Sequence, residues 1–199
     1  QHKISSPIFA GPVVLSHPDC PQPSVIVAGV NGGLTARCLN GGDLLWNYEM
    51  PSLLTIFNDP VLISDGSLLV PSGAGYLQSV DVRSGHVRWS LDCRRIDSPA
   101  SAVTGHSLSR PTVVKAVGSD FRVVVTRSDG VILSFACPSL TSGCELDLGH
   151  LPRRSTYRLP SESFSAPVVV PSADSDCLLV VVGCRDNNVH CVAVTDAAG

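Results

Sequence analysis

Gly32-Gly33-Leu34-Thr35-Ala36-Arg37-Cys38-Leu39-Asn40-Gly41-Gly42-Asp43-Leu44-Leu45-Trp46 aligns without a gap on Gly75-Tyr76-Leu77-Gln78-Ser79-Val80-Asp81-Val82-Arg83-Ser84-Gly85-His86-Val87-Arg88-Trp89. Gly32 with Gly75, Leu34 with Leu77, Gly42 with Gly85 and Trp46 with Trp89 recur in register. Self-similarity at this separation decides an architecture before local propensity does, because each copy is one supersecondary unit that must stack on its neighbours. A weaker copy runs from Gly130 through Leu133, Phe135 and Gly143 to Leu146, with a longer turn, and a fourth begins at Asn187, carries Val189, Cys191 and Val192, and ends at Gly199. Each unit also opens alike: Pro12, Pro60, Pro111 and Pro167, each followed by β-branched residues, stand 15 to 20 residues before the Gly or Asn that begins the second half.

Between these anchors lie short apolar runs, Ser24 to Ala28, Ser67 to Val70, Phe121 to Thr126 and Cys177 to Gly183, bounded by Asn-Gly-Gly, Asp-Gly and Ser-Gly turn signals. Each unit therefore reads as four short antiparallel strands. A small sheet apolar on both faces cannot bury itself, so it stacks face to face on its copies around an axis, which is a β-propeller blade. A proline at the mouth of the first strand suits a position that donates no amide, and Gly42 and Gly85 supply the positive φ of the turn between third and fourth strands. Trp46 and Trp89, at one place in two units, are expected to wedge against the adjoining blade. The expected blades are 4–50, 52–93, 98–149 and 158–199.

Composition agrees with this class. The chain has 199 residues, 44% hydrophobic and 16% charged, which excludes an intrinsically disordered polymer, and its 17 Gly and 15 Pro are too many for a helical bundle. A net charge of -3 with scattered Lys and Arg argues against nucleic acid as a partner, and Arg94-Arg95 and Arg153-Arg154 are too short for a phosphate track. The apolar runs are too short to span a bilayer as helices, so no membrane is expected. Eight cysteines occur with no C-x-x-C pair and several inside apolar runs, so they read as unpaired, mostly buried thiols in a reducing cytoplasm.

The pattern carried by Gly75, Leu77, Asp81, Gly85 and Trp89 resembles the PQQ-like repeat of quinoprotein propellers. In more detail, the segments Gly41 to Glu49, Ser163 to Val169 and Val181 to Cys191 resemble the last blades of the C-terminal propeller of beta-alanine-activating enzymes, within the AMP-forming acyl-activating family. The general pattern covers nearly all of the chain, the closer likeness only those three segments. That resemblance implies an upstream adenylation domain that activates an amino or carboxylic acid with ATP, a phosphopantetheine carrier domain, and this propeller as a trailing module of an acid–thiol ligase. It also implies a ring larger than four blades, with residues before Gln1 supplying further blades and a closing strand for the open edge of the fourth unit.

No catalytic machinery is legible in the chain itself: there is no G-x-x-x-x-G-K-[ST] loop and no carrier-type serine motif. A quinone cofactor would need a metal held by Glu, Asn and Asp oxygens and, in that family, adjacent cysteines; there is no Cys-Cys here, so no cofactor is expected. Zinc ligation by Cys184, His190 and Cys191 fails on geometry, because adjacent strand residues point to opposite faces. Asp174, Asp176 and the run Arg185-Asp186-Asn187-Asn188 lack the spacing of a calcium loop. Ser84 and Ser142 stand before turn glycines and read as turn residues.

What remains is surface. The stretch from Gly149 to Ser161 reads as the longest connection between blades, and Arg154, Tyr157 and Arg158 on it are residue types that anchor interfaces. The expectation is a non-catalytic propeller that serves as scaffold, domain-docking or substrate-handling module, its partners the adenylation and carrier domains of the same protein or another protein. A fragment of a PQQ-dependent dehydrogenase and a BamB-like assembly scaffold are the alternatives.

Overall fold

The computed structural model describes residues 6–16, 22–50, 55–96, 106–115, 121–137, 144–147, 151, 154–171 and 177–195. Within them four sheets follow one another along the chain, antiparallel except for one strand added to the second. The first is β1 (Val13–Leu15), β2 (Ser24–Ala28), β3 (Gly33–Cys38) and β4 (Leu44–Glu49), in sequence order. The second repeats that order with β5 (Val61–Leu62), β6 (Ser67–Pro71), β7 (Tyr76–Asp81) and β8 (Val87–Asp92), followed by a single 3-10 turn at Cys93–Arg95. The third contains β9 (Thr112–Lys115), β10 (Phe121–Thr126) and β11 (Val131–Ala136); two further strands follow, β12 (Cys144–Leu146) and β13 (Ser155–Arg158). The fourth shows three strands among the described residues, β14 (Val168–Pro171), β15 (Cys177–Gly183) and β16 (Val189–Thr195).

Three apolar cores hold the stack, one at each junction. Leu15, Ile26, Leu34 and Trp46 of the first sheet meet Leu68, Val70 and Val80 of the second. The other face of the second sheet, with Leu69, Leu77, Trp89 and Leu91, meets Val123, Val125, Leu133 and Phe135 of the third. Val124 and Ile132 of the third then meet Val180, Val182, Val192 and Val194 of the fourth. Burial along the strands follows from this. Strands β6 and β11 are buried at every residue, because both their faces are covered. Strands β2, β3 and β16 alternate with a period of two, because only one face of the first and fourth sheets is covered.

The repeated motif residues act across the junctions. The indole Nε1 of Trp46 donates to the Val82 carbonyl of the next sheet at 2.8 Å. Its ring lies over Gly85, where an added Cβ would stand 2.6 Å from the indole Cε3, and Gly85 has φ +72°. Gly85 of the second blade is thus the seat for Trp46 of the first. Trp89, the same position in the second sheet, is buried edge-on against Phe135 of the third, with ring centroids 6.3 Å apart. The hairpins closed by Gly42 and by Gly85 both carry positive φ, and each follows a bulge at the same register, after Ala36 and after Ser79.

The third unit departs from its expected form. Its fourth strand is β13, which pairs antiparallel with β11, whereas β12 adds a parallel fifth strand to the outer edge of the second sheet, Cys144 to Leu146 beside Trp89 to Leu91. The expected end of that blade at 149, and the reading of 149–161 as a connection, are therefore corrected. Two anchors decide it: Leu146 packs into the core between second and third sheets, while the Leu159 amide bonds the Gly130 carbonyl and its side chain enters the core between third and fourth. Met50 and Cys93 make the same bond to the Gly32 and Gly75 carbonyls. The register also makes Ile132, rather than Leu133, the counterpart of Leu34 and Leu77. Gly143 and Gly199 lie outside the described residues.

In that register Ser155 takes the place of Trp46 and Trp89, and the room is used by an arginine. Arg122 replaces the small buried Ser24 and Ser67 of the other sheets, and its Nε donates to Ser134 Oγ at 2.7 Å. Ser155 in turn donates to the Thr195 carbonyl of the fourth sheet at 3.0 Å. A polar bridge thus replaces the Trp-on-Gly contact at the last junction.

Candidate functional site

Among the described residues four places offer function: the outer faces of the terminal sheets, the β13 edge of the third sheet, the inner side of the stack, and one hairpin turn. On the fourth sheet, Val168, Val170 and Val189 stand side by side with Leu179, Val181 and Cys191 on the face turned away from the third sheet, and they are 60%, 45% and 74% exposed. On the first sheet, Val14 and Leu45 are 58% and 46% exposed on the face turned away from the second. The inward residues of the same strands are closed, so these are sheet faces of core composition left open.

The expected docking residues sit on a strand rather than in a connection. Tyr157 and Arg158 are exposed on β13 and Arg154 just before it, at the outer edge of the third sheet. Arg158 Nη1 lies 3.6 Å from the Asp129 carboxylate. A shallow crevice of about 180 Å³ runs beside Tyr157, between β13 and β16. Arg153 lies outside the described residues.

The first strands line the inner side. The Gly11 amide bonds Asp59 Oδ1 at 2.6 Å and the Thr112 hydroxyl bonds the Pro167 carbonyl, tying successive blades together there. Pro12, Val13, Asp59, Pro60, Leu62 and Arg110 line a shared cleft. A quinone with its calcium needs a flat platform and converging Glu, Asn and Asp oxygens. This cleft presents prolines, aliphatic side chains, an arginine and one carboxylate already bonded to an amide. The residues do not fit that group, and no step is assigned to it.

The hairpin from β15 to β16 brings together the Cys184 thiol, the Asp186 carboxylate and the His190 imidazole, one ligand atom from each lying within 4.8 Å of the others. His190 Nε2 is 2.8 Å from Asp186 Oδ2, and the Asn188 amide donates to Asp186 Oδ1 at 3.0 Å. Burial alone would raise the Asp186 carboxyl, but hydrogen bonds from His190, Asn188 and Cys184 outweigh it and hold the group at about 2. Cys191 is exposed, on the other face of β16 from the half-buried His190, as strand alternation requires. Asp186, which sequence reasoning treated only as a poor calcium ligand, takes the third position; its Asx-turn bond to Asn188 is the signal that could have placed it. Asp174 and Asp176 lie outside the described residues.

Two further arginines have structural roles. Buried Arg127 pairs with Asp129, Nε to Oδ1 at 2.7 Å, and donates to the Cys93 carbonyl, fastening the third blade's hairpin to the end of the second. Arg94 stacks on Tyr76, 4.4 Å from its ring centroid, and pairs with Asp92. Among the described residues no helix is long and apolar enough to cross a membrane.

No family model matches the chain. It is similar to the beta-alanine-activating enzymes of Mus musculus and Homo sapiens, 29% identical over 111 residues and 28% over 109, which is 55% and 54% of this chain but 8% of either relative's length. Among solved structures it is similar to BamB from Moraxella catarrhalis, with TM-score 0.55 and 18% identity over 92% of this chain and 52% of that one. A quinohemoprotein alcohol dehydrogenase from Pseudomonas putida HK5 gives TM-score 0.58 and 14% identity over 92% and 29% of the respective chains. The computationally designed protein Ika4 gives 0.60 and 15% over 96% and 94%. Together with the four stacked sheets, these likenesses make the chain an all-β protein built of β-propeller blades.

Proposed function

We propose that the chain is a non-catalytic propeller module that holds other protein surfaces, and that it serves an AMP-forming acyl-activating enzyme of the beta-alanine-activating type. The observation that carries the module reading is the open outer face of the fourth sheet, where Val168, Val170 and Val189 repeat the aliphatic composition that closes every internal junction. A face of that kind is completed by another blade-like sheet, as the three internal junctions are. The edge bearing Arg154, Tyr157 and Arg158 supplies a second, polar and aromatic surface suited to the adenylation and carrier domains. The local similarity to two beta-alanine-activating enzymes supports that assignment. The reading expects the protein in the cytoplasm, with neither nucleic acid nor membrane as partner and with no organic cofactor of its own.

Amide hydrogen exchange, measured on the chain alone and with the adenylation and carrier region of a beta-alanine-activating enzyme added, tests it. Slower exchange over β13 or over β14 to β16 on mixing is the expected result. Unchanged exchange over both would overturn the assignment to that enzyme.

A further inference from the structure

The hairpin between second and third strands is built four times with one backbone. The amides of Gly29, Ser72, Arg127 and Cys184 bond the carbonyls of Gly33, Tyr76, Val131 and Asn188, and Gly32, Gly75, Gly130 and Asn187 carry the positive φ. The fold therefore asks little of the side chains at the other positions, and the four copies show what each does there. At the place of Cys184 stand Gly29, Ser72 and Arg127; at that of Asp186, Asn31, Ala74 and Asp129; at that of His190, Thr35, Gln78 and Leu133. The first copy uses Asn31 to cap Gly33 and the third uses Arg127 and Asp129 as a buried ion pair. Among these four described hairpins, only the last combines a thiol, a carboxylate and an imidazole.

We propose that Cys184, Asp186 and His190 form a three-ligand site for zinc, with the fourth position open to solvent or to a ligand from a docked partner. The donor set is one thiolate sulfur, one imidazole nitrogen and one carboxylate oxygen, which zinc takes in tetrahedral geometry at about 2.3, 2.0 and 2.1 Å. The three ligand atoms already lie within 4.8 Å of one another, so rotation of side chains alone closes them on an ion. His190 and Asp186 are each 22% exposed, which leaves a path for the metal. Asp186 is held by the Asn188 amide, so one of the three ligands is oriented by a group outside the set, and the Cys184 thiol gives up its proton and its bond to the Ser161 carbonyl when it ligates. A nucleophilic thiol needs the imidazole between itself and the carboxylate. Here the imidazole bonds the carboxylate, while the thiol's hydrogen bond goes to the Ser161 carbonyl and not to the imidazole, so the arrangement suits a shared cation and not a catalytic triad.

Cobalt(II) titration of the full chain, followed by zinc, tests the site. One equivalent of cobalt should give intense visible bands of a four-coordinate ion and a near-ultraviolet thiolate-to-cobalt charge-transfer band, both removed by zinc. Cys184→Ser should abolish the charge-transfer band, and Asp186→Asn and His190→Gln should each weaken binding at least tenfold. Cys191→Ser, on the opposite face of β16, should leave both unchanged, with circular dichroism reporting the fold of every variant. The proposal is overturned by a wild-type chain without the charge-transfer band, or by a band that survives in folded Cys184→Ser. Should that variant not fold, undiminished binding by His190→Gln overturns it equally.

Discussion

Replacing Gly85 by alanine probes the contact on which the stacking of the first two blades depends. Two costs add. At φ +72° an L side chain is strained by about 1 kcal/mol. The new Cβ would also stand 2.6 Å from Cε3 and 2.8 Å from Cδ2 of Trp46, a flat ring held by its bond to Val82 that cannot swing away as a flexible chain would. Overpacking of this kind costs ~1–3 kcal/mol. The total is about 2–4 kcal/mol. Gly41→Ala is the control, because φ is +103° there but the nearest side-chain atom is Asp43 Oδ2 at 3.6 Å; it should lose only the conformational part. In a Trp46→Ala background the clash disappears, so Gly85→Ala should again cost only about 1 kcal/mol, leaving a coupling of roughly 1–3 kcal/mol. Urea unfolding followed by far-ultraviolet circular dichroism measures the wild type and all four variants without relying on the tryptophan that is removed. Equal losses for Gly41→Ala and Gly85→Ala, with no coupling to Trp46, would refute the reasoning.

Other consequences follow from buried charge and from the thiols. Asp129→Ala leaves the Arg127 guanidinium buried against the Cys93 carbonyl without its counter-charge, and should cost about 3 kcal/mol by urea unfolding at pH 7. Burial pushes the Asp129 carboxyl up, but its hydrogen bonds and ion pair with Arg127 hold it below the ordinary carboxylate range. Its contribution is therefore complete above the unfolded value, near pH 4, and is lost as pH falls through the lower folded value. Stability measured from pH 6 to pH 2 should fall less steeply in Asp129→Ala than in the wild type. Burial pushes the Cys93 and Cys137 thiols up to about 12, so peptide mapping after brief maleimide treatment at pH 7.5 should find them unmodified while exposed Cys191 is labelled.

The repeat was legible because the residues that encode it act across blade junctions. Trp46 needs a glycine beneath it, so Gly and Trp recur together, and a doubled motif revealed both the blade and its period. The third unit was misread at its outer strand for the same reason. Ser155 stands where tryptophan stands elsewhere and Arg122 fills the space, an exchange between residues 33 positions apart that no local pattern marks. With that signal gone, Cys144 to Leu146 looked like the missing strand, although Leu146 is drawn to the preceding junction. At the hairpin, strand alternation correctly separated His190 from Cys191, yet alternation says nothing about turn residues. Asp186 reaches His190 only because Asn187 adopts the left-handed backbone and folds the turn back over the strand, with φ 66°.

The most direct test of the central claim, that the terminal sheets present core-like faces for other surfaces, is sedimentation equilibrium of the chain across a wide concentration range. The account predicts association that strengthens with concentration, and that Val168→Glu combined with Val189→Glu weakens at least tenfold without loss of the β-sheet spectrum, since both side chains lie open on one face. A chain that remains monomeric at every concentration, indifferent to those substitutions, would contradict it.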